Sequence, residues 1–147
     1  MLENVSTLKN LLSNPKQIVI TTHRGPDGDA MGSSLAMWHF LKQFGHSVCV
    51  ITPNEYANFL HWLPGNSEVL VYEENEEEAQ KITKNADLIF LMDFSHISRI
   101  SDFGETVAKA KATKILIDHH QDPDMNIADI IFSDNQACST AQLVYEI

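Results

Sequence analysis

Short apolar runs rich in β-branched residues alternate with stretches of helical period along the whole chain. The runs QIVITT (17–22), SVCVIT (47–52), EVLVY (68–72), DLIFLM (87–92) and TKILI (113–117) predict five strands, and DIIFS (129–133) is a weaker sixth candidate. Between the first two runs, Ala30, Met37, Trp38, Leu41 and Phe44 recur at helical spacing up to Gly45, which predicts a helix and its stop. A further helix is predicted from about Glu3 to Leu12, with Pro15 beyond its end. Strands alternating with helices are the pattern of a parallel sheet with helices on both faces, an α/β architecture. No repeat, low-complexity segment or linker interrupts the pattern, so residues 1–147 read as one domain.

Composition narrows the functions open to such a domain. At 147 residues and 16.5 kDa, with 44% hydrophobic residues, the chain can bury one substantial core. Its formal charge of −10 argues against broad adhesion to long nucleic acid or to an anionic membrane, which needs clustered Lys and Arg. A small anionic substrate is compatible with this charge if metal ions supply positive charge. No apolar run has the length of a membrane span and the N-terminus MLENVSTLKNLL lacks a signal-peptide build, so the expected location is the cytoplasm. Cys49 and Cys138 read as two free thiols. The acidic run EENEEEAQK (73–81) reads as a solvated helical face. His39, His46 and His61 have no acidic companions nearby in sequence and read as packing or surface residues, as do Trp38 and Trp62.

Three predicted strands end alike, and candidate chemistry gathers there. The first runs into THRGPDGD, the fourth into MDFSH and the fifth into IDHHQD. In a parallel sheet the carboxyl ends of the strands share one edge, where ligands bind. That topology brings His23, Asp27, Asp29, Asp93, Asp118, His119 and His120 to one crevice. Carboxylates crowded with imidazoles repel one another unless a cation joins them. Mixed oxygen and nitrogen donors without cysteine suit Mn²⁺ or a similar first-row ion better than structural zinc. Taken alone, DGD reads as a helix cap. Joined to Asp93 and to the HxxxDxD spacing of the first turn, it points to metal binding.

These motifs resemble those of the DHH phosphoesterases. THRGPDGDAMGSSLAM is similar to that family's first motif, LIFLMDFS to its second and ILIDHHQDP to its third, while ACSTAQLVYE looks like the helix before its fourth. The resemblance implies a Rossmann-like domain that hydrolyses phosphoesters with two Mn²⁺ ions, Mg²⁺ or Co²⁺ being alternatives. It makes His23 and Asp27 ligands of one ion, Asp29 and His119 ligands of the other, and Asp93 a bridge between them. It places His120 beside the substrate phosphate as a catalytic residue and Asp118 behind it as an orienting residue. Arg24, the one basic residue of the first turn, reads either as a contact to substrate phosphate or as half of an ordinary surface ion pair. Within the family the resemblance is nearest the nano-RNase group, which implies short RNA or phosphoadenosine phosphate as substrate. A family II-like pyrophosphatase, a cyclic-dinucleotide phosphodiesterase and a non-catalytic metal- or nucleotide-binding module are the competing readings. The resemblance also implies a fourth motif and a C-terminal substrate-binding domain beyond Ile147. Oligomeric state is left open, a homodimer being one option.

Overall fold

The computed structural model describes residues 2–147. Helix α1 (Leu2–Leu11) leads into strand β1 (Gln17–Thr22), followed by α2 (Gly28–Gln43), β2 (Ser47–Thr52), β3 (Leu70–Val71), α3 (Glu76–Lys84), β4 (Leu88–Met92), α4 (Phe103–Lys109), β5 (Thr113–Asp118), β6 (Ile130–Ser133) and α5 (Thr140–Glu146). The six strands form one parallel sheet in the order β3-β2-β1-β4-β5-β6. This is the strand order of a Rossmann-like doubly wound fold.

The sheet is buried on both faces, which explains why β1 and β4 read as unbroken apolar runs and not as alternating ones. Alternate residues feed two cores. Ile18, Ile20, Leu88, Phe90, Met92, Ile115 and Ile117 face α1, α2 and α5, where Leu8, Met31, Leu35, Leu41 and Leu143 pack on them. Val19, Ile89, Leu91 and Leu116 face α3 and α4, against Ala79, Phe103 and Val107. Phe90 is completely buried at the centre, and its truncation to alanine would cost about 3–5 kcal/mol.

The weaker strand candidate is present, and one strand expectation is corrected. DIIFS is a full member of the sheet, with Ile130–Ser133 paired to β5 from Ile115 to Asp118, so there are six strands. EVLVY keeps only Leu70–Val71 extended, because 3₁₀ turns occupy Asn66–Glu68 before it and Tyr72–Glu74 after it. Tyr72 is thereby turned into the core beside Phe103, with ring centroids 4.7 Å apart. The acidic run divides between the second of these turns and α3, and its Glu side chains are exposed.

The order places β1 between β2 and β4. The chain leaves β1 toward one side of the sheet and returns to its other side through β4, which opens a crevice at the carboxyl ends of β1 and β4.

Candidate metal centre

His23 follows the last residue of β1, and Asp93 the last residue of β4. Asp93 has φ 65°, in the left-handed region, which aspartate tolerates better than most residues. Its N–H donates to Ile117 O at 3.0 Å, so the strained residue is clamped to β5. Its side chain is 2% exposed. Oδ2 lies 3.6 Å from His23 Nε2, while Oδ1 lies 3.5 Å from His119 Nε2 and 3.9 Å from His120 Nδ1. The two oxygens of one carboxylate thus face two separate sets of donors.

The first set is completed by Asp27, whose Oδ1 is 3.8 Å from His23 Nε2. Asp27 is also the N-cap of α2: Oδ1 accepts from Ala30 N–H at 3.0 Å. The cap fixes this carboxylate at the crevice mouth, within reach of His23. His23 Nδ1 lies 2.8 Å from Arg24 O. A carbonyl can only accept, so Nδ1 carries the proton and Nε2 has its lone pair toward the carboxylates.

The second set gathers around His119. Its Nε2 is 3.5 Å from Asp29 Oδ2 as well as from Asp93. Both Asp29 oxygens accept hydrogen bonds from the start of α5, Oδ2 from Thr140 N–H at 2.8 Å and Oδ1 from Ala141 N–H at 2.9 Å. His120 Nδ1 sits 2.7 Å from Oδ1 of the fully buried Asp118. Asp118 Oδ2 has no hydrogen-bond partner among the described residues.

Two groups have ligand atoms within 4.8 Å of one another: His23, Asp27 and Asp93, and Asp93, His119 and His120. Asp93 belongs to both. The second group contains His120, where the sequence pointed to Asp29. Neutral imidazole nitrogens with carboxylate oxygens, gathered at such distances, fit a first-row divalent ion. The buried charge also calls for one. The Asp93 carboxylate raises the His23 imidazole above its ordinary value against the opposing effect of burial. Burial works to raise the Asp93 carboxyl, but the facing His23 imidazole and the Thr140 hydroxyl outweigh it and hold it below the usual range. Burial raises the Asp29 carboxyl, and the Ala141 and Thr140 N–H groups offset this only in part.

Arg24 leaves the first turn in the other direction and pairs with Glu73, both half-exposed. Its N–H donates to Arg99 O at 2.7 Å, tying the first turn to the 3₁₀ turn after β4. Thr140 is the participant that sequence reasoning passed over. Its hydroxyl donates to Asp93 Oδ1 at 2.8 Å, across 47 residues of chain, and the STAQ stretch signalled only a helix start.

Comparison with known proteins shows what the chain is similar to. Residues 17–147 match the model of the DHH family, N-terminal domain. The chain is 30% identical over 131 residues to the bifunctional oligoribonuclease and PAP phosphatase NrnA of Thermus thermophilus, covering 88% of this chain and 36% of that protein. An exopolyphosphatase-related protein from Bacteroides fragilis superposes with a TM-score of 0.97 at 36% identity, over 99% of this chain and 43% of its own. RecJ from Thermus thermophilus, solved in complex with Mn²⁺, shares the fold at a TM-score of 0.57 and 14% identity, over 97% of this chain and 19% of its own. The chain thus spans less than half the length of each of these relatives.

Proposed function

The chain belongs to the DHH family, and from that premise we propose that it is the metal-binding domain of a Mn²⁺-dependent phosphoesterase acting on short oligoribonucleotides, on phosphoadenosine phosphate, or on both. The observation that carries the reading is the placement of Asp93, one carboxylate with an oxygen toward each of two donor sets. His23, Asp27 and Asp93 would hold one ion, and Asp93, His119 and Asp29 a second. Divalent ions bound there supply water activation near neutral pH and neutralise the phosphoryl oxygens. That second effect reconciles a chain of charge −10 with an anionic substrate.

The protein's own groups do the rest. Asp118 accepts from His120 Nδ1–H, which fixes the tautomer and turns the ring so that Nε2 is available at the half-exposed face. When the ring carries a second proton, on Nε2, His120 donates from there a hydrogen bond to the phosphate or a proton to the departing oxygen. The His23 tautomer is fixed in the same manner by Arg24 O. Arg24 reaches a substrate phosphate only by leaving Glu73, and an exposed pair of this kind costs about 0.2–1 kcal/mol to break.

The substrate assignment is supported by the likeness to NrnA, an oligoribonuclease and PAP phosphatase. It is tested by comparing turnover of a diribonucleotide, phosphoadenosine phosphate and pyrophosphate by the purified protein under equal Mn²⁺. Faster cleavage of the first two is expected. Rapid pyrophosphate turnover with no cleavage of the dinucleotide would transfer the protein to the pyrophosphatase reading.

A further inference from the structure

Thr140 opens α5 and reaches two carboxylates of the centre, the buried Asp93 and the half-buried Asp29, from a single position. Its hydroxyl donates to Asp93 Oδ1 at 2.8 Å and its N–H to Asp29 Oδ2 at 2.8 Å. The residue is itself fully buried. We propose that Thr140 is a positioning residue that sets the rotation of the Asp93 carboxylate, so that Oδ2 stays toward His23 and Oδ1 toward His119; the inference rests on the reading of Asp93 as a shared metal ligand.

The torsion that turns a carboxylate about its Cβ–Cγ bond is broad and has no sharp staggered wells. Aspartate's own stereochemistry therefore does not hold its two oxygens toward opposite donors. Among the described residues, Thr140 Oγ1 is the group that donates a hydrogen bond to this carboxylate. A quarter-turn of the carboxylate would aim neither oxygen at either imidazole.

Threonine suits the task because its branched Cβ restricts the hydroxyl to few rotamers. Its backbone is anchored too, through Asp29 and through the cap that Ser139 Oγ makes by accepting from Gln142 N–H at 3.1 Å. The hydroxyl uses one lone pair of Oδ1 and leaves another free for an ion. One residue at the start of α5 thereby fixes the geometry of Asp29 and Asp93 together, although they come from α2 and from the end of β4.

The test compares Thr140→Ser with Thr140→Ala, two variants that both lack the methyl group and differ only in the hydroxyl. Mn²⁺ affinity and stoichiometry are read by electron paramagnetic resonance of free Mn²⁺, after cooperative unfolding of each protein has been verified. The serine variant should bind within a few-fold of the parent, and the alanine variant about 10–100-fold more weakly, the usual effect of removing a hydrogen bond to a ligand. Thr140→Val, of nearly the same shape as threonine, provides a second protein without the hydroxyl should the alanine variant fail to fold. Equal binding by the serine and hydroxyl-free variants would overturn the positioning role while leaving the metal centre intact. A parent protein that binds no Mn²⁺ would overturn both, and the parent titration alone would show it.

Discussion

Nδ1 of His120 lies 2.7 Å from a carboxylate oxygen of Asp118, and Asp118 is completely buried at the last position of β5. An acceptor on Nδ1 holds one ring proton there and leaves Nε2, the nitrogen available to substrate, to take up and release the second. Asp118→Asn replaces an obligate acceptor by a side chain that can donate instead, which stabilises the other tautomer. Turnover should fall by about 10²–10⁴-fold, the usual size of a general acid contribution, while Mn²⁺ affinity stays near that of the parent. Adding His120→Ala to Asp118→Asn should then cost little more, since the two residues act as a unit. Additive losses in kcat would show that Asp118 does not act through His120.

Asp93→Asn is the sharpest single test of the metal centre. Asparagine accepts the left-handed backbone at this position about as readily as aspartate, so the substitution removes charge without adding strain. Mn²⁺ at 100 times its dissociation constant should stabilise the parent by about 2.7 kcal/mol, read as a rise in Tm. The variant should lose most of that rise, because its side chain faces both donor sets. A full Mn²⁺ shift in Asp93→Asn would place the ions elsewhere.

Periodicity made most of the sheet legible, because β1, β4 and β5 are buried on both faces and cannot be mistaken for amphipathic helices of ordinary length. Ile130–Ser133 was harder to read, as four residues between Asp129 and Asp134 carry little period. Leu70–Val71 was overestimated because Val69 and Tyr72 have strand propensity but lie in or beside tight turns, where packing of Tyr72 on Phe103 prevails over local preference. At the centre, residues at strand ends could be grouped from sequence since parallel topology alone carries them to one edge. Hydrogen bonds that cross 47 and 111 residues, from Thr140 to Asp93 and Asp29, have no local signature. Nor does the pairing of Arg24 with Glu73, which depends on how the turn after β3 folds.

The two thiols should differ widely in reactivity. Cys138 is exposed, whereas Cys49 is half-buried on β2. Burial, with smaller contributions from Glu78 and Glu68, pushes the Cys49 thiol up to about 11. The thiolate is the nucleophile, so at about pH 8 an alkylating agent should modify one thiol per chain quickly and the second only after denaturant is added. Peptide mapping should locate the fast label on Cys138. Rapid labelling of Cys49 in the folded protein would show that β2 opens locally far more often than its place in the sheet implies.

His46 carries a pH dependence of stability that is separate from the metal centre. Lys16 N–H donates to His46 Nδ1 at 3.1 Å, so this nitrogen must keep its lone pair and the folded protein holds the ring neutral. Burial, and to a lesser degree the charge of Lys16, lowers its pKa below the ordinary value. Between that lowered value and the ordinary histidine value of about 6.5, the unfolded chain binds a proton that the folded protein excludes. Stability therefore rises with pH across this window. The contribution is complete above the ordinary value and is lost as pH falls through the window to the folded pKa. Asparagine in place of His46 offers Oδ1 to the same Lys16 N–H but cannot take up a proton. Denaturant titrations between about pH 5 and pH 7, with chelator present in both proteins so that the centre contributes equally, should show the parent losing stability relative to His46→Asn as pH falls. Parallel curves would mean that His46 is protonated without disturbing Lys16, and that the hydrogen bond to Nδ1 does not govern its charge.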